Sequence, residues 1–402
     1  MAAPRSKTLK ILKEEGLGSA FKYKCKKLLA PIPINLAWNL GFSMPNRYGF
    51  FYIASHASGH NGLRGFLQKC GVRMPMHFED DGEVRYRDNC LSLLSSGHSA
   101  IYLSEIYFKD YQKYFSSLTK RVPALVLMRD PISLLRSAIN YQGDASNRTH
   151  TGGGGGAGLL KSIRLDSKDY SPQIIVNLVK PRLSRQDLST VFTTTEIIES
   201  IPSITRLHYI DTSEITGAKT FDTLTRLSSV LGFPPPDPKD RHYFEGALYG
   251  ELRPFVPLRF LVPYKTQNLE FTCSLAQLDK EEDLQDITSL VAPKGYENDT
   301  NFSHLRIYAK EPTTILVNEA LELARVNLEQ LFSALDLELK RLRGLKVTEE
   351  KILDYLKSKP KLTMDLKGIL DRELKLVRQE RPELVQSWKY YLEFEKLCSD
   401  IG

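Results

Sequence analysis

Tyr48-Gly-Phe-Phe-Tyr-Ile-Ala54, Ser55-His-Ala-Ser-Gly-His-Asn61 and Gly62-Leu-Arg-Gly-Phe-Leu-Gln-Lys69 follow one another without interruption. The first stretch is almost wholly apolar and rich in aromatic side chains, the composition of a short buried strand. The second is small and polar, as a tight connection requires. The third spaces Leu63, Phe66 and Leu67 along one helical face. Strand, turn, helix is the local unit, and whether it recurs decides the fold.

It recurs twice. Val122-Pro-Ala-Leu-Val-Leu-Met128 reads as a second buried strand and runs into Arg129-Asp-Pro131, where proline suits a helix's first turn. Ile132, Leu134, Leu135, Ala138 and Ile139 then supply an apolar helical face. Arg206-Leu-His-Tyr-Ile-Asp211 is a third strand, followed by a helix from Thr220 to Leu231 that Gly232 and Pro234-Pro-Pro236 stop. Strands alternating with helices predict an α/β fold, a parallel sheet flanked by helices on both faces. In such sheets ligands bind beyond the carboxyl ends of the strands.

Two places at those ends carry chemistry. Ser58, Gly59, His60, Asn61 and Gly62 form a small-residue turn before a helix, where backbone N–H groups can converge on an anion. The Gly-Lys-Ser/Thr ending of nucleotide-hydrolysing P-loops does not occur there, which argues against an ATPase or GTPase. Arg129 closes the second strand, and Ser137 follows eight residues later on the next helix. A guanidinium and a hydroxyl converging at a strand end suit a nucleotide's phosphate. The competing arrangement pairs Arg129 with Asp130 and leaves Ser137 in solvent.

Strand, Ser-Gly-x-x turn and helix, then strand, Arg-Asp-Pro and a serine eight residues after the arginine, resemble the sulfotransferases that use 3′-phosphoadenosine 5′-phosphosulfate. Tyr209-Ile-Asp-Thr-Ser-Glu-Ile215 and Leu231-Gly-Phe-Pro-Pro235 extend the resemblance over residues 48–236. It implies a P-loop-like architecture with a turn at Ser58–Gly62 holding the 5′-phosphosulfate, and Arg129 with Ser137 holding the 3′-phosphate. The implied reaction moves a sulfo group to a hydroxyl of a carbohydrate or glycoconjugate, without a metal. Three positions depart from the pattern: Ala57 stands where the family carries a basic residue, and His60 and Asn61 stand where it carries threonines. Arg253 is the one candidate for the family's later phosphate-clamping arginine. The base expected near the end of an intervening strand is Glu105, beyond Ala100-Ile-Tyr-Leu103, with His98 and His60 as substitutes.

The remainder frames that core. The expected division is a basic amphipathic segment at 1–46, the α/β domain at 47–250, a peripheral insertion at 251–310 and a helical region at 311–402. Residues 1–30 hold eight Lys and Arg against two Glu, so +6 of the chain's net +7 sits there. Leucines interleave those lysines, which predicts contact with an anionic membrane surface or a solvated arm, and no recognition motif points to nucleic acid. Five glycines at Gly152–Gly156 mark a linker or a lid. Five scattered cysteines with no CxxC pair read as free thiols, and no apolar stretch approaches the roughly 20 residues of a membrane span. The expected location is cytoplasmic, peripheral on the inner face of a membrane. Two other functions fit: a same-fold transferase with another nucleotide-linked or phosphorylated donor in surface-polysaccharide modification, or a membrane-associated scaffold without catalysis.

Overall fold

The computed structural model describes residues 31–75, 81–94, 97–104, 106–145, 170–176, 191–246, 251–252, 255–275, 284–293, 296, 302, 305–309 and 318–401. The basic stretch 1–30, the glycine run, Glu105 and Arg253 lie outside those residues.

Four strands form a parallel sheet: β1 (Phe50–Ala54), β2 (Ala100–Leu103), β3 (Val122–Met128) and β4 (Ile204–Asp211), in the order β2-β1-β3-β4. An isolated parallel bridge between Arg73 and Ser99 adds a rudimentary position outside β2. Successive strand residues point to opposite faces, and both faces are apolar. Phe51, Ile53, Ile101, Leu103, Ala124 and Val126 enter one core, while Phe50, Tyr52, Ala100, Tyr102, Leu125 and Leu127 enter another. That is why these strands read as continuous apolar runs rather than alternating ones.

Helices that accompany this sheet include α1 (Pro31–Asn39), α2 (His60–Lys69), α3 (Gly82–Leu93), α4 (Tyr111–Ser116), α5 (Pro131–Ala145), α6 (Thr194–Glu199) and α7 (Lys219–Leu231), with a short helical turn at Arg241–Glu245 adding Phe244. On one face α2 and α7 pack through Leu63, Phe66, Leu67, Leu224 and Leu227. On the other, α1, α3, α4, α5 and α6 contribute Trp38, Tyr86, Tyr114, Ile132, Leu135 and Ile197. Gly232 ends α7 with φ 71°, a left-handed conformation in which a Cβ is costly.

Residues 258–309 add what the sequence reading did not foresee. β5 (Leu258–Tyr264), β6 (Gln267–Leu275), β7 (Gln285–Asp286) and β8 (Leu305–Ala309) form an antiparallel sheet ordered β5-β6-β8-β7. β5 alternates strictly between buried and exposed positions. Pro263 at an edge strand and the prolines around it hid that period of two. A long helix, α8 (Asn318–Leu345), lays Ala324, Leu328, Leu331, Leu335 and Leu342 on this sheet.

The last five helices, α9 (Glu349–Lys357), α10 (Pro360–Glu373), α11 (Lys375–Glu380), α12 (Pro382–Ser387) and α13 (Lys389–Ile401), return to the first core. Pro360 and Pro382 each open a helix rather than interrupt one. The helical region expected as one body at 311–402 is thus divided: α8 serves the second sheet, and α9–α13 serve the first. Cys70, Cys90, Cys273 and Cys398 are buried free thiols, and burial pushes Cys273 up to about 12 and the other three to about 11. Among the described residues no helix is long and apolar enough to cross a membrane.

Candidate functional site at the carboxyl ends of β1 and β3

β1 is central, and the chain leaves it first toward β2 on one side and then reaches β3 on the other. In open α/β sheets such a reversal marks the ligand crevice, here at the carboxyl ends of β1 and β3. Three ties fix the turn that lines it. Ser58 donates to Ser55 O from its Oγ (2.6 Å) and its N (3.3 Å). Arg129 Nη1 donates to Ala57 O at 3.1 Å, reaching across from the end of β3. Thr212 Oγ1, just beyond β4, lies 2.7 Å from Ser58 O and 2.9 Å from Met128 O.

The turn is strained where it must be. Ala57 has φ 65° and Gly59 has φ 90°. A Cβ on Gly59 would stand 3.3 Å from Thr212 Cγ2, so glycine is needed for conformation and for space. α2 starts at His60, three residues before the apolar spacing begins at Leu63, and no side chain caps it. Asn61 and Gly62 complete its first turn, where Gly62 N donates to Gly59 O at 2.9 Å, and the positive end of the helix dipole lies at this turn. His60 is buried, its backbone O accepting from Tyr52 OH at 3.0 Å and its ring 6.0 Å from the stacked Tyr102 ring.

Arg129 does not pair with Asp130 by hydrogen bonding. Asp130 Oδ1 accepts from Ile132 N (2.9 Å) and Ser133 N (3.4 Å), and Oδ2 from Tyr390 N (3.0 Å) and Tyr391 N (3.2 Å). Burial pushes its carboxyl up from the ordinary value, against the pull of those four N–H groups. Burial likewise pushes Arg129 down; nearby Arg136 acts in the same direction, while Glu349, Asp211 and Asp130 oppose it. A desolvated guanidinium whose hydrogen-bond acceptor is a neutral carbonyl gains from an arriving anion.

Ser137 is half-buried on α5. Its face carries Ser133, Arg136 and Asn140 at helical spacing, and that face meets the start of α9. Ser133 Oγ donates to Glu349 Oε1 at 2.8 Å, Arg136 Nη1 lies 3.1 Å from the same oxygen, and Asn140 exchanges two 3.0 Å bonds with the Val347 backbone. Around Arg129, on the helix that also carries Ser137, the structure adds groups not expected from the sequence: Arg136 as a second cation and Glu349 as a resident anion. Arg136 was findable, seven residues after Arg129 on the face that also holds Ser137. Glu349 had no local signal.

His98 is corrected. It precedes β2, so it stands at the amino end of the sheet, exposed, with the four-residue strand (about 13 Å at 3.3 Å per residue) between it and the carboxyl-end crevice. It cannot act there as a base. Near the crevice the structure brings a different carboxylate: Glu196 of α6 accepts from Tyr107 OH, and Thr194 of the same helix bonds Ser55 Oγ at 2.9 Å. Glu373 in turn caps α6, accepting from Thr194 N (3.0 Å) and Thr195 N (3.2 Å). Trp388 Nε1 donates to Asp211 Oδ2 (2.8 Å) and Arg381 Nη1 to Tyr209 O (2.8 Å), so the C-terminal helices also reach the end of β4. Among the described residues no group of three or more His, Cys, Asp or Glu could hold a metal ion.

A family model described as protein of unknown function (DUF2972) matches residues 209–401. The match begins inside β4 and takes in the second sheet and all the C-terminal helices; the Ser58–Gly62 turn and Arg129 lie before it. No curated protein and no solved structure matches the chain.

Proposed function

We propose that the chain is a sulfotransferase-like enzyme that moves a sulfo group from 3′-phosphoadenosine 5′-phosphosulfate to a hydroxyl of a carbohydrate or glycoconjugate. The observation that carries this reading is the Arg129–Ala57 hydrogen bond across the reversal point of a parallel sheet. It joins the two motifs that in the resembling enzymes hold the two ends of one nucleotide. The uncapped start of α2 offers N–H groups to the 5′-phosphosulfate, and Arg129, Arg136 and Ser137 offer cations and a hydroxyl to the 3′-phosphate.

In the transfer, the acceptor hydroxyl gives its proton to a base, its oxygen bonds to sulfur, and the sulfur–oxygen bond to the 5′-phosphate breaks. The electron pair leaves with 3′-phosphoadenosine 5′-phosphate. Charge therefore grows on the leaving phosphate and must be met by fixed donors. With alanine at position 57 in place of the family's basic residue, His60 and Arg64 on α2 are the side chains of this turn proposed to meet that charge. Glu105 is the proposed base, with His60 at the turn.

Thermal unfolding with a nucleotide panel tests the reading, because a ligand that binds only the folded state raises its stability. A rise with 3′-phosphoadenosine 5′-phosphate, and not with 5′-phosphate analogues lacking the 3′-phosphate, is expected. A rise only with another nucleotide would redirect the donor, which Ala57 makes the main rival. No rise with any would overturn the enzyme reading in favour of a scaffold.

A further inference from the structure

A second concavity opens at the other end of the same sheet. Arg47 precedes β1 by three residues, His98 precedes β2 by two and Lys120 precedes β3 by two. Phe50 stands opposite Ala100, and Phe51 opposite Ala124. In-register parallel strands therefore bring these three basic residues side by side at the amino edge. They help to line a cleft of about 230 Å³ into which Ser99, Gly232 and Phe233 also project. None of the described residues lining it is acidic.

The cationic heads are held at the wall by neutral acceptors. Lys120 Nζ donates to Tyr48 O at 2.6 Å and Arg47 Nη1 to Leu94 O at 3.4 Å. Arg73 stands behind, its Nη2 3.2 Å from Ser99 Oγ. Carbonyls and hydroxyls orient such groups without cancelling their charge. The carboxyl end of α7 also reaches the cleft, but its dipole amounts to about half a negative charge, which two permanent cations outweigh. The volume decides the size of the occupant. It is below the roughly 300 Å³ at which pockets for drug-sized ligands begin, so a phosphate carrying a few further atoms fills it and any larger remainder of a ligand lies outside.

We propose that this cleft binds the phosphate monoester of a small ligand, with Arg47, Lys120 and His98 around the dianion. The same chemistry is offered by a soluble sugar or glycerol phosphate and by a lipid headgroup. Leu94, whose carbonyl holds Arg47, is exposed, so a lipid-borne phosphate has an apolar side chain beside the arginine. The proposal is independent of the transfer reading, because the cleft and the crevice lie at opposite ends of the strands.

The test uses the full chain and its Arg47→Ala/His98→Ala variant; both residues are exposed, and circular dichroism melting checks the fold. Glycerol 3-phosphate is titrated and followed by phosphorus NMR line broadening. Pelleting with phosphatidylcholine vesicles containing phosphatidic acid is measured in parallel. The expected result is saturable binding by the wild type that weakens about tenfold or more in the variant, as loss of charge-assisted contacts requires. Weakening with glycerol phosphate identifies a soluble ligand, and weakening in the vesicle arm alone identifies a headgroup. Affinity for 3′-phosphoadenosine 5′-phosphate should be equal in the two proteins. If the wild type binds neither probe, or the variant binds both as the wild type does, the proposal is overturned.

Discussion

Arg129 sits where three demands meet: it is largely desolvated, it steadies the turn through Ala57 O, and it lies near a second arginine. An anion resolves all three, because it supplies the charge that burial and Arg136 make the guanidinium lack. Replacing Arg129 by alanine should weaken 3′-phosphoadenosine 5′-phosphate binding by about 2–3 kcal/mol, the scale of a charge-assisted contact. Arg136→Ala should cost about 1 kcal/mol, since that side chain is partly solvated and screened. Glu349→Gln should act in the opposite direction and tighten binding, because it removes the carboxylate that competes for Arg136 and Ser133. Calorimetric titration checks all three, and equal affinities across the set would sink the clamp. These residues also mark how far the sequence could be read. Ser58, Gly59 and Arg129 were legible because their positions follow from the local succession strand, turn, helix. Thr212 and Glu349 were not, because each meets its partners across more than eighty residues of chain.

Between elements, the same rule holds for Asp130. In the sequence it is the neighbour of Arg129 and a natural ion-pair partner. In the structure one carboxylate caps two helices at once, α5 through Ile132 and Ser133 and α13 through Tyr390 and Tyr391. Nothing local announces the second helix, which begins some 260 residues later. Asp130→Ala strands buried N–H groups at both helix starts. With each lost cap costing about 1 kcal/mol and unsatisfied buried donors adding to it, the variant should be destabilised by about 3 kcal/mol in urea unfolding. A loss below about 1 kcal/mol would mean that water replaces the carboxylate at both ends. The strands teach the complementary lesson. β1 and β3 were legible because burial on both faces leaves uninterrupted apolar runs. β5 and β6 were not, because this antiparallel sheet writes its signal as alternation, which the apolar outward Leu261 and Pro263 of β5 blur.

Across the whole molecule, the chain leaves the first body after Phe244, builds a second one from Leu252 and comes back. Among the described residues, the buried side chains of the second core come from 252–342, with Tyr170 packed against them, whereas those of the first run from Trp38 to Cys398. Leu366, Leu370, Val377, Trp388 and Phe394 from the last helices share a cluster with Phe51, Ile53, Ala124 and Val126 from the central strands. The reach of the family match, 209–401, therefore does not outline a folding unit: it holds the whole second core, yet it cuts β4 and omits the β3 strand with which β4 pairs. Two fragments separate these cases. Residues 251–345 keep the antiparallel sheet, α8 and the Arg343–Glu251 ion pair (2.6 Å) together, and should unfold cooperatively alone. Residues 47–250 lack every apolar side chain that α9–α13 place against β1 and β3. Fully burying each such side chain is worth about 1.5–3 kcal/mol, and a domain's whole margin is about 5–15 kcal/mol. Losing even the five named above exceeds most of that margin. The 47–250 fragment should bind a hydrophobic dye and melt without a cooperative transition, and adding residues 346–402 through a flexible linker in place of the second body should restore both cooperativity and solubility. A sharp melting transition for 47–250 by itself would show that the C-terminal helices decorate the α/β core rather than complete it.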